Sequence, residues 1–137
     1  MSVKENKEIA YRYFEEAYNQ KNIDVLDEIV DEDIISHSPQ EMQGLQVIKE
    51  YVSGNRKTFP DVKFFIEDQI AEGDRVVTRI TFKATHKGEF RGIAPTGKKV
   101  TVTGINIMKI IDGKIVESWA EWDALGLMQQ LGAISQQ

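Results

Sequence analysis

The second half of the chain alternates with a period of two, and that leaves it few ways to fold. Between Arg75 and Lys87 the even positions carry Val76, Thr78, Ile80, Phe82, Ala84 and His86, while the odd ones carry mostly charged or hydroxylated side chains. A two-residue period with one apolar face is a half-buried strand. In the next run, Val100, Val102, Gly104, Asn106, Met108 and Ile110 share one face. Thr101, Thr103, Ile105, Ile107, Lys109 and Ile111 share the other. Apolar residues on both faces predict a central strand covered twice. Val62, Phe64 and Ile66 start an earlier strand, and Glu72-Gly73-Asp74 and Asp112-Gly113 supply the turn chemistry of hairpins.

A sheet of this kind needs a cover, and the first half of the chain provides it. Ile9, Tyr13, Phe14, Ala17 and Tyr18 recur at helical spacing, predicting an amphipathic helix from about Lys4 to Asn19. A second short helix carries Ile23, Leu26, Ile29 and Val30, with Asn22 or Asp24 as a cap, and ends in Asp31-Glu32-Asp33. Ile34 to Ser38 reads as a short extended piece stopped by Pro39. Gly44 precedes a third helix with Val47, Ile48, Tyr51 and Val52, which Phe59-Pro60-Asp61 closes. Helices first and hairpin-joined strands second describe one α+β domain over residues 1–137, with helices on one face of a strongly curved, mixed or antiparallel sheet. A bent sheet closed by helices forms a cone with a hollow.

Two polar residues fall on the apolar parity of their strands. His86 ends one inward row and Asn106 sits in the middle of another, so each needs a hydrogen-bond partner inside the protein or a ligand. From Lys114 onward, strict alternation puts Glu117, Trp119, Glu121 and Asp123 on one face and Val116, Ser118, Ala120 and Trp122 on the other. Asp123 also stands directly before Ala124-Leu125-Gly126-Leu127, where it would cap a short helix. Capping and acid/base chemistry are both open to it. His37 follows a short strand and either meets a ligand or bonds to a backbone carbonyl.

Composition narrows the function classes. Seventeen Lys and Arg against 22 Asp and Glu give a net charge of −5 without basic clustering, which argues against a phosphate backbone as partner. There are no cysteines and two histidines, so thiolate chemistry is excluded and no metal site is expected. No stretch has membrane-spanning length and the N-terminus is polar, so a cytoplasmic protein without membrane partners is expected. Pro95-Thr96-Gly97-Lys98 lacks the glycine spacing and the following helix of a phosphate loop.

Four segments in order carry a family likeness over nearly the whole chain. They are Phe59-Pro60-Asp61; Thr85-His86-Lys87-Gly88-Glu89-Phe90-Arg91-Gly92-Ile93-Ala94-Pro95-Thr96-Gly97-Lys98; Asp112-Gly113-Lys114-Ile115-Val116-Glu117-Ser118-Trp119 with Asp123; and Gln130-Leu131-Gly132. Together they resemble the SnoaL-like polyketide cyclases of the nuclear transport factor 2-like superfamily. The resemblance implies a cystatin-like α+β barrel, a homodimer and a small apolar carbonyl compound as ligand or substrate. It further implies cofactor-free cyclase, isomerase or lyase chemistry, with a buried Asp123 as general acid/base. His86 and His37 would assist it, and Asn106, Trp119, Phe90, Phe59 and Tyr13 would contact the ligand. A non-catalytic binding or assembly module, or an epoxide hydrolase, would use the same hollow.

Overall fold

The computed structural model describes residues 2–38 and 40–134. α1 spans Val3–Arg12 and opens with a reciprocal cap: the Ser2 hydroxyl accepts from the Glu5 amide at 3.1 Å and the Glu5 carboxylate accepts from the Ser2 amide at 3.1 Å. The predicted helix to Asn19 does not continue as an α-helix. Tyr13–Asn19 is π-helical, and its i→i+5 bonding stacks residues five apart on one face. Tyr13 and Tyr18 thereby become neighbours, with ring centroids 5.8 Å apart.

The second helix is shorter than its periodicity suggests. A 3₁₀ turn at Ile23–Val25 leads into α2 at Leu26–Ile29, and Asn22 stands at the start of that turn without a side-chain capping bond. Val30 and the acidic run belong instead to strand β1, Val30–Ser36, whose buried residues include Val30, Ile34 and Ser36. Pairing with a neighbouring strand outweighs the local helical spacing there. A two-residue strand β2, Met42–Gln43, precedes α3 at Leu45–Thr58.

The remaining chain forms β3 (Lys63–Glu72), β4 (Arg75–Thr85), β5 (Lys99–Ile111), β6 (Lys114–Trp122) and α4 (Ala124–Gln130). All six strands make one sheet in the order β2-β1-β6-β5-β4-β3, antiparallel except for the parallel pair β1 and β6. Asp112 and Gly113 both take positive φ, 49° and 78°, as a tight hairpin turn requires. β5 is central, pairing with β4 from Lys99 to Lys109 and with β6 from Gly104 to Ile111.

β1 shifts register against β6 between Val30 and Ile35, and two further register shifts bend the antiparallel part of the sheet. One separates Ile66 from Asp68 on β3; the other falls where Lys109 pairs with Glu117 but Ile110 pairs with Ile115, leaving Val116 as the extra residue. The second lets Ile115 and Ser118 face the same side despite their opposite parity. The core joins the inner sheet face to the helices through Phe14, Leu26, Ile48, Val52, Val76, Val102 and Met108. No helix among the described residues is long and apolar enough to cross a membrane.

Candidate functional site

Between the helices and the inner sheet face lies a hollow of about 260 Å³. Residues from β1, near one edge, and from β3, at the other, line the same space, so the sheet wraps around it. The sheet wall includes Phe64, Phe82, Asn106, Ser118, Ala120 and Trp122. The helix wall includes Tyr13, Phe14, Tyr18, Tyr51 and Asn55. Phe90 and the exposed Arg91, from the connection after β4, stand at the opening.

The helix wall is polar yet uncharged. Asn55 donates to the Tyr18 hydroxyl at 3.3 Å. Burial pushes the Tyr13 and Tyr18 phenols well above their usual range, and the neighbouring tyrosines add to the shift. Both therefore face the hollow as neutral hydroxyls.

Across from them, Asn106 is 8 % exposed and its Oδ1 is buried without a hydrogen-bond partner. Its flanking residues across the sheet are Thr78 and Ala120. The Thr78 hydroxyl lies 3.5 Å from Gln69 Nε2, and Ala120 has nothing to offer. An unpaired buried amide oxygen costs about 1–3 kcal/mol. A ligand hydroxyl or N–H entering the hollow would remove that cost. Tyr13, Phe59 and Phe90 line the same space, as the sequence suggested.

Gly104 lets Trp122 into the wall. The two residues are paired across β5 and β6, and a Cβ at Gly104 would come within 3.0 Å of Trp122 Cβ and 3.1 Å of the Glu121 carbonyl oxygen. A side chain there would press on Trp122 Cβ and the Glu121 carbonyl, which would have to give by a few tenths of an ångström.

The other expected site residues lie elsewhere. His86 does point inward and is fully buried, but it is not among the lining residues. Its Nδ1 accepts the Thr96 amide at 3.2 Å and lies 3.0 Å from the Thr96 hydroxyl. In the neutral ring this puts the proton on Nε2, which has no partner. Backbone bonds from His86 N–H to Lys98 and from Gly97 N–H to the His86 carbonyl, both 2.9 Å, complete the tie. His86 anchors the connection that carries Phe90 and Arg91.

Trp119 lies on the outer face, not in the wall, because the inward row of β6 beyond the bulge is Ser118, Ala120 and Trp122. His37 stacks on it at 5.3 Å, and the Arg75 guanidinium lies 5.1 Å from the same ring. His37 Nε2 pairs with the Glu117 carboxylate at 2.7 Å, while its backbone N–H donates to the Ser118 carbonyl at 2.9 Å. This cluster satisfies itself.

Asp123 is exposed rather than buried. β6 ends at Trp122, the last inward side chain, and the Asp123 carboxylate turns to cap α4 by accepting the Gly126 amide at 2.9 Å. A side chain on Gly126 would overlap that carboxylate. Asp123 nevertheless sits between two lining residues, Trp122 and Leu127, which places its backbone at the rim. Glu121, also exposed, is the carboxylate among the described lining residues. Sequence reasoning missed Tyr51, Asn55 and Arg91 as lining residues. Parity gives no sign of them, because helix packing and loop closure bring most of them to the hollow.

Comparison with known proteins accounts for this architecture. The family model for SnoaL-like polyketide cyclases matches residues 8–131. The chain is 30 % identical over 128 residues to the aklanonic acid methyl ester cyclase AcmA of Streptomyces galilaeus, covering 90 % of this chain and 88 % of that protein. Among solved structures, TsrD of Streptomyces laurentii superposes with a TM-score of 0.90 at 28 % identity, over 98 % of this chain and 99 % of that one. AclR of Streptomyces galilaeus does so at 0.88 and 30 %, over 99 % and 86 %. The fold is the nuclear transport factor 2-like α+β arrangement, and the chain belongs to the SnoaL-like polyketide cyclase family.

Proposed function

We propose that this protein catalyses cofactor-free, cyclase-type proton transfer on a small, mainly apolar carbonyl compound held in the hollow. The observation that carries the proposal is the unpartnered Asn106 amide in an otherwise aromatic wall. An acceptor left unpaired in the empty site and paired with a ligand hydroxyl or N–H in the occupied one contributes to binding.

In an aldol ring closure a carboxylate removes a proton next to one carbonyl, and the enolate carbon attacks a second carbonyl of the same molecule. The new alkoxide then takes a proton back. The tyrosine hydroxyls suit the carbonyl oxygens of such a compound as donors, Asn106 Oδ1 suits one of its hydroxyls as acceptor, and the rim supplies the carboxylates. The family resemblance favours Asp123 for the proton transfer, and its rim position is compatible with a substrate that protrudes from the hollow. Glu121 is the second candidate: it borders the hollow, although it lies on the outward parity of β6.

Turnover of an aromatic polyketide methyl ester by Asp123→Asn and Glu121→Gln separates the two. Loss of the working acid/base should lower kcat by about 10²–10⁴-fold. The capping function of Asp123 favours one further reading, a ligand-binding module. Ligand binding with no turnover by the wild type would replace the catalytic reading with that one, and turnover untouched by either substitution would remove both carboxylates from the proton transfer.

A further inference from the structure

Arg91 is the one cation among the described residues that line the hollow, and its setting is built rather than incidental. Phe90 and Ile93 exchange both backbone hydrogen bonds, at 3.0 and 2.8 Å, so Arg91 and Gly92 form a two-residue hairpin turn with φ of 48° and 81°. Such a turn favours Asn, Asp or Gly at its first position, and a long side chain there is held against its backbone preference. The turn brings the guanidinium over two aromatic rings that line the opening, 5.2 Å from the centroid of Phe90 and 5.4 Å from that of Trp122.

Among the described residues no carboxylate neutralises it. Arg91 is in no ion pair among the described residues. Its sequence neighbour Glu89 is engaged by the Gly92 amide at 2.7 Å. Glu121, the other charged lining residue, lies on the outward parity of β6 and pairs across the sheet with Ile105. The hollow thus has a neutral, aromatic interior and a stacked, unpaired guanidinium at its opening.

We infer that Arg91 is a specificity-determining residue that binds an anionic oxygen at the outer end of the ligand, so the preferred ligand is an apolar carboxylic acid whose ring system fills the hollow. The inference rests on the reading of the hollow as the ligand site. A planar guanidinium on aromatic rings keeps its N–H donors directed outward and matches a carboxylate with two parallel hydrogen bonds.

Calorimetric titration at pH 7 with 2-naphthoate and with 2-naphthamide, equal in shape and different in charge, tests it. The wild type should bind the acid about five- to tenfold more tightly, the range of one partly exposed charge-assisted contact. Arg91→Gly, which suits the turn backbone, should bring the two affinities together while holding amide binding within about twofold. Arg91→Lys should keep part of the preference. Equal binding of both probes by the wild type, or a preference that survives Arg91→Gly, would overturn the inference and leave the hollow as the ligand site. Binding of neither probe would overturn both.

Discussion

The two faces of the central sheet are made from alternate residues of the same strands and follow opposite rules. On the outer face, one row across β3, β4, β5 and β6 reads Ile70, Val77, Ile107 and Trp119, with His37 beside the indole. Its polar groups are provided for: His37 pairs with Glu117, Arg79 with Asp68, and Arg75 stacks on Trp119. On the inner face Asn106 has no partner for its oxygen, and aromatic rings enclose an open volume instead of filling it. The polar groups of the outer face are matched by its own residues, whereas the inner face leaves a buried acceptor unpaired beside an open volume. A buried unpaired group is informative where it faces open volume, because His86 Nε2 is unpaired too yet lines no hollow.

Three substitutions can break or sharpen this contrast. The largest expected effect is at Gly104, where Gly104→Val would press on Trp122 in the inner wall. Overpacking against a backbone carbonyl and an indole Cβ should cost about 1–3 kcal/mol in urea denaturation and abolish ligand binding together. Asn106→Leu comes next, and its two readouts should move in opposite directions. Removing an unpaired buried amide should raise stability by about 1 kcal/mol, while ligand affinity falls about tenfold. A loss of both would mean that Asn106 is structural and the contrast false. The smallest effect belongs to Trp119→Ala, which should cost about 1 kcal/mol of stacking on His37 and Arg75 and leave ligand affinity within about twofold. A large loss of affinity there would show that the two faces are not independent.

His86 and Asn106 show how far parity carries. Both were legible as inward polar residues, and both are buried, at 0 % and 8 % exposure. Only their surroundings separate them. His86 finds Thr96 on the connection ten residues further along and becomes an anchor, whereas Asn106 faces the hollow. Asp61 behaves like His86: the buried Thr85 hydroxyl and amide hold it at 2.6 and 2.7 Å and lower its pKa. A carboxylate depressed in the folded state contributes stability above its unfolded pKa of about 4, and that contribution is lost as pH falls through the lower folded value.

The sequence by itself determined strands β3 to β6, their hairpin turns and the opposite facing of Trp119 and Trp122, because each follows from a two-residue period or from contacts within a few residues. Only the tertiary structure decided which face of β6 meets the hollow, since that depends on the bulge at Val116 and the bend it imposes. The tertiary structure also decided that Tyr13 and Tyr18 share a face, through a π-helical segment where an α-helix was expected. Local periodicity records which side chains lie together. Which of those sides is enclosed is set by contacts far apart in the chain, and no short stretch of residues contains that information.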